Sequence, residues 1–119
     1  MNPIKIMLLS SLFLSASTSY AAFNGKEAEQ LEIINHHSEI KLKNLQSRKD
    51  KSVAHAITLN PENSALIKEL EASWDNMIAK KCLLETIESA NTDAEIAEKN
   101  GCLIKEYEAE AIYFENMLP

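Results

Sequence analysis

The sequence predicts an all-α fold, a small bundle of three to four helices with a disulfide-pinned C-terminal hairpin. Three observations carry that reading. Breakers are scarce: the chain has two glycines, and its three prolines fall at positions 3, 61 and 119. Ala, Leu, Ile, Glu and Lys recur throughout, and these residues lose little on entering a helix. No segment shows the period-two alternation of β-branched residues between turn signals that strands require.

Residues 1–21, MNPIKIMLLSSLFLSASTSYA, read as a secretory signal peptide. Lys5 supplies the positive start, Ile6 to Leu14 the apolar core, and Ser19-Tyr20-Ala21 a small-x-small cleavage site. The apolar core is too short for a spanning helix and is interrupted by Ser10 and Ser11. No cysteine near the cleavage point offers a lipid anchor, and no later stretch reaches spanning length. The expected mature protein is a single helical domain, residues 22–119, periplasmic or secreted, with no membrane span once the signal is cleaved.

Export gives the two cysteines a meaning. In an oxidising compartment Cys82 and Cys102 are most simply one disulfide, a staple worth roughly 3 kcal/mol in the chain-entropy picture. Two free thiols or a metal pair are the rivals, and a metal site wants three or four ligands. Charge is uneven along the chain. Acids and bases balance from Ala22 to Leu84, whereas Glu85 to Pro119 sets nine acids against only Lys99 and Lys105 and so carries the whole net charge of the mature chain. Such a balance repels a phosphate backbone and excludes nucleic acid as the natural partner. It suits a cationic protein.

The first mature helix is expected from Lys26 to Lys49, with Leu31, Ile34, Leu42 and Leu45 on its apolar face and Ile33 and Ile40 widening it. Polar Arg48 to Ser52 reads as a bend, followed by a short apolar segment, Val53 to Leu59. Asn60-Pro61-Glu62 marks a new helix start, with a capping residue, proline at the first position and an acid at the positive helix end. Beyond it Leu66, Leu70, Trp74, Met77 and Leu84 mark one face. Trp74, Ile78 and Cys82 follow at spacings of four, so the indole is expected to pack beside the bridge. Thr92-Asp93-Ala94-Glu95 matches a capping box, and Asn100-Gly101 reads as the stop of a short helix. A last helix from Cys102 carries Leu103, Tyr107, Ala111, Phe114 and Leu118 along one stripe. An apolar surplus on the first helix leaves room for a homodimer.

Candidate chemistry is thin. His36 and His37 are adjacent, so their rings diverge by about 100° on a helix and cannot easily grip one ion; His55 stands alone. These histidines carry the weakest function class, a metal or small-ligand carrier. Glu106, Glu108 and Glu110 alternate and do not face a shared substrate, unlike paired glycosidase carboxylates. No nucleophile elbow and no Gly-rich phosphate loop is present. The expectation is therefore a protein with no catalytic residue, no metal site and no cofactor. Tyr107 and Phe114 share the core stripe, and Tyr113, off it, is the aromatic expected at the surface.

The C-terminal half, residues 63–118, resembles the lysozyme-inhibitor LprI family, a domain of unknown function (DUF1311). The resemblance rests on an apolar-patterned helix ending in Trp, L-I-K-E-L-E-A-S-W74, with a cysteine eight residues on, D-N-M-I-A-K-K-C82. The second cysteine follows in N-G-C102-L-I-K-E-Y, and the last helix runs out in E-N-M-L118. The chain departs from the family pattern at Met77 and Ile78, where an aromatic and an arginine are usual, and at Glu110, near a common arginine. Residues 22–60 do not follow it. The resemblance implies an exported bacterial helical protein, one branch of the family being associated with lysozyme inhibition.

The leading expectation is a binding protein that occludes a cationic lysozyme or another peptidoglycan hydrolase through Glu106, Glu108, Glu110 and Glu115, with Tyr113 beside them. An immunity protein against a rival's exported toxin would carry the same pattern. The other class is a structural or chaperone-like envelope protein, recognised by an exposed apolar groove.

Overall fold

The computed structural model describes residues 18–119, and the signal-peptide reading lies outside them except at its last four positions. Residues 31–119 form one compact unit, whose architecture follows. Three helices form it: α1 (Thr18–Leu59, which begins ahead of the unit), α2 (Ser64–Glu85) and α3 (Glu95–Glu115). Short 3₁₀ turns, Pro61–Asn63 and Ile87–Ser89, join them, and the described residues contain no strand. The small helical bundle with a bridged C-terminal hairpin is the fold the composition predicts.

α1 does not bend at Arg48–Ser52 but runs through it. Lys49 and Ser52 are buried against the other helices, and Arg48, though exposed, reaches across to one of them. Arg48 bonds Glu115 of α3, Lys49 bonds Glu71 and Asp75 of α2, and Ser52 Oγ lies 2.7 Å from the Arg48 carbonyl. A polar run breaks a helix only when solvent or local turn geometry offers its groups more, and here the neighbouring helices satisfy them.

At the end of α1, Asn60 does not cap α2 through its side chain. It closes α1 instead, its Nδ2 donating to the Ala56 carbonyl at 3.1 Å and its backbone N–H to the same oxygen at 3.0 Å. Pro61 then opens the 3₁₀ turn, a position that needs no amide donor.

The break near Asn91 is present. Asn91 is the one non-glycine with positive φ among the described residues, at 62°, a conformation asparagine tolerates. The capping box works in a shifted form: Thr92 Oγ1 accepts from the Ala94 N–H at 3.3 Å, and Glu95 reaches back to the Asn91 N–H at 3.0 Å. Asn100-Gly101 stops nothing, because α3 continues past it. Asn100 is buried and donates from Nδ2 to Ser38 Oγ of α1 at 3.0 Å, so its side chain docks α3 on α1 instead of ending the helix. Cys102 therefore lies two turns inside α3 rather than at its start.

The core joins Val53 and Ala56 of α1, Ile67 of α2 and Phe114 of α3, with Ile57, Leu70 and Met117 packed against it. Leu31, Leu42 and Leu45 are half-buried, whereas Ile33, Ile34 and Ile40 face outward. On α2 the buried stripe is Ile67, Ile78 and Cys82 with Trp74 half-buried; Leu66, Met77 and Leu84 of the expected face are exposed. Just past the end of α3, Met117 takes the place expected for Leu118, which is 80% exposed.

Candidate functional site: a charged junction and the hairpin tip

Cys82 and Cys102 form the disulfide, with Cα atoms 5.6 Å apart, and the described chain has no free thiol. Ile78 and Cys82 are fully buried. Trp74 keeps the same face but packs further along the hairpin. Its ring centroid lies 5.3 Å from Tyr113 and 6.2 Å from Phe114, and Tyr113 meets Phe114 edge-on at 5.2 Å. Eight residues of helix put Trp74 about 12 Å along the axis from Cys82. The aromatic neighbours of the indole are thus rings, and the expected cover over the bridge gives way to an aromatic trio. Tyr113 remains 46% exposed.

The acidic face expected on the last helix is not one surface. Glu110 is completely buried and so is withdrawn from any partner. It falls on the three-four repeat of Leu103, Tyr107, Phe114 and Met117, which turns inward. Glu106 is held by Lys81 of α2, its side chain 12% exposed. That contact raises the Lys81 ammonium above its ordinary value through the Glu106 hydrogen bond. Glu115 takes a two-pronged bond from Arg48, at 2.7 Å from Nε and 2.9 Å from Nη2, while Glu108 stands 3.9 Å from Nη1. The Arg48 hydrogen bond lowers Glu115 below the usual carboxylate range and raises Arg48 in return.

Glu110 belongs to a junction where all three helices meet. Lys49 of α1 is buried, with Nζ 3.0 Å from Asp50 Oδ1, 3.2 Å from Glu71 Oε2 and 3.0 Å from Asp75 Oδ2. It also sits 5.7 Å from the Tyr107 ring centroid, within cation–π range. Burial alone would pull the Lys49 pKa down; the hydrogen bonds it donates to its carboxylates, Asp50 first, more than offset this, and the value is raised. Tyr107 is raised by burial and then by Asp75, against a hydrogen bond with Gln46. Glu110 is pushed up to about 8, first by burial and then by Asp75. Both Glu110 oxygens, Asp75 Oδ1 and Trp74 Nε1 are buried without a hydrogen-bond partner.

The sequence reading missed this junction although its signal is present. Leu42, Leu45, Lys49, Ser52 and Ala56 keep a three-four repeat on α1, so a lysine stands at a core position. Glu110 does the same on α3. Opposite charges at core positions of different helices are the signature of a buried ion-pair cluster.

The hairpin tip has a different character. From Leu83 to Glu98 there is no base, and Glu85, Glu88, Asp93, Glu95 and Glu98 are all exposed. Among them stand Leu83 (61% exposed), Leu84 (71%), Ile87 (62%) and Ile96 (46%).

His36, His37 and His55 are exposed. His55 lines an open cleft of about 670 Å³ along α1 with Ser47, Arg48, Lys51 and Glu115. Among the described residues no group of three or more His, Cys, Asp and Glu is placed to hold a metal ion, and no helix is long and apolar enough to cross a membrane. No protein-family model, no curated protein and no solved structure matches the chain.

Proposed function

We propose that the chain is an exported, non-enzymatic binding protein that captures a cationic protein through its hairpin tip. The partner class is a lysozyme or another peptidoglycan hydrolase, as the resemblance of residues 63–118 implies. One observation carries the reading: apolar Leu83, Leu84, Ile87 and Ile96 are exposed inside a segment with five exposed acids and no base. Apolar side chains at the centre of a contact supply affinity, and a rim of one sign speeds the encounter with a partner of the other. Glu108 and Tyr113 of the expected set are also exposed on α3, but further along that helix from the tip.

The test is lysis of a cell-wall suspension by a panel of lysozymes, with and without oxidised residues 22–119. Dose-dependent protection that weakens with salt is expected, and it is lost on reversing Glu88 and Asp93 to lysine. Absence of protection at micromolar protein rejects the reading. An immunity role would use the same surface against a rival's exported toxin, and its test is the same assay with that toxin.

The chaperone-like alternative draws on Leu66 and Met77, which are exposed on α2 away from the acidic run. It predicts that the protein keeps an unfolded, uncharged client soluble, which a tip-directed binder does not do.

A further inference from the structure

The junction poses a problem of donors. An ammonium group has three N–H bonds, and those of Lys49 are taken by Asp50, Glu71 and Asp75. None is left for Glu110, whose side chain is completely buried and whose two oxygens accept no hydrogen bond. An ionised carboxylate in that position would be both desolvated and unpaired, with Asp75 and Glu71 as like charges beside it. A neutral Glu110 removes the conflict, because its O–H can then donate to the neighbouring Asp75 carboxylate, one oxygen of which is otherwise unpartnered.

We propose that the junction is a proton-operated latch: one proton held between Glu110 and Asp75 closes α3 onto α1 and α2, and its loss opens the junction. The charged and titratable groups facing Glu110 are Lys49, with Asp50 bound to it, from α1, Glu71 and Asp75 from α2, and Tyr107 on its own helix. Opening does not separate the hairpin, since the Cys82–Cys102 bridge keeps α2 tied to α3. The tip next to that bridge is kept, while the helices loosen around Trp74, Tyr113 and Phe114. The latch rests on the packing of the three helices and is independent of the partner proposed above.

Trp74, the chain's one tryptophan, adjoins Asp75 and stacks near Tyr113 and Phe114, so its emission reports on the junction. The experiment is a pH titration of Trp74 emission in the oxidised protein and in Glu110→Gln, whose amide cannot ionise yet can donate to Asp75. The wild type is expected to show a reversible red shift with its midpoint near pH 8, and Glu110→Gln is expected to lose it. Tyr107, raised above its ordinary value, ionises on the alkaline side of this window. A wild type without a transition in mildly alkaline solution overturns the latch, and so does a transition that survives in Glu110→Gln. Should the variant fail to fold, infrared absorption of the native protein decides. A carbonyl band from a protonated carboxylic acid at pH 7 is expected, and its absence there overturns the proposal.

Discussion

Arg48 and Lys49 are neighbours in the chain and have opposite fates. Arg48 points along the open cleft and grips Glu115 at the surface, its side chain 43% exposed. Lys49, turned by about 100° on the helix, enters the junction with a side chain 7% exposed. Both are cations bonded to carboxylates. At the surface water competes for both partners, so the pair adds only modestly to stability even with its two-pronged geometry. In the junction water is excluded. Each charge there depends on the others, and removing one leaves the rest buried and unpaired. Environment, not residue type, decides which of two adjacent ion pairs the fold relies on.

Removing Lys49 tests that contrast most severely. Lys49→Met keeps the stem and deletes the charge, leaving Asp75 and Glu71 facing Glu110 without a cation. The expected loss is about 3–5 kcal/mol in chemical denaturation, the range for breaking a buried pair. A loss no larger than that of Arg48→Ala would erase the distinction. The disulfide comes next. Cys102→Ser should cost roughly 3 kcal/mol on the loop-entropy account, and the Trp74 environment should survive, because the aromatic trio lies about two turns away along α2. A variant that loses its native Trp74 emission would show that the bridge, not the junction, organises the helices.

The pH dependence of stability sharpens the comparison further, because the two sites have opposite signs. Glu110 has a folded pKa near 8, above its ordinary value of 4.5. Its contribution is complete below pH 4.5 and is lost as pH rises toward 8, at up to about 1.4 kcal/mol per pH unit. Glu115 is lowered by Arg48, so its contribution is present above the usual carboxylate range and is lost as pH falls through the depressed value. Urea denaturation across pH should therefore show a decline between about pH 4.5 and 8 that Glu110→Gln abolishes. The smallest effect belongs to Arg48→Ala, which should leave the denaturation midpoint near that of the wild type and remove only part of the acid limb.

The two sites were not equally legible in the sequence. Trp74, Ile78 and Cys82 share a face because spacings of four are unambiguous on a helix, and the cysteine pair needed only the assumption of export. The Arg48–Ser52 stretch misleads because polarity alone does not say whether a side chain meets water or another helix. Asn100-Gly101 misleads for a related reason: asparagine ends helices when its amide turns back on its own backbone, and here Ser38 captures it. Glu110 is the most instructive case. Its sequence neighbours Glu106 and Glu108 look like the same acidic surface, yet a two-residue step, about 200° of helical phase, separates the exposed Glu108 from the buried Glu110. Leu66, Met77 and Leu84 show the converse. Their hydrophobicity and spacing point to one apolar face, but the buried stripe of α2 is phased on Ile67, Trp74, Ile78 and Cys82, and they fall outside it.

The buried charges also act on alignment. An all-apolar three-helix seam tolerates a slip of one turn, since leucine replaces leucine at nearly equal cost. Here a slip of about 5.4 Å would carry Lys49 away from Asp75 and set Glu110 against aliphatic neighbours. The penalty for each misregistered arrangement is that of an unpaired buried ion. Lys49, Asp75 and Glu110 therefore work as a key cut into the seam, admitting one register of the three helices and rejecting the next.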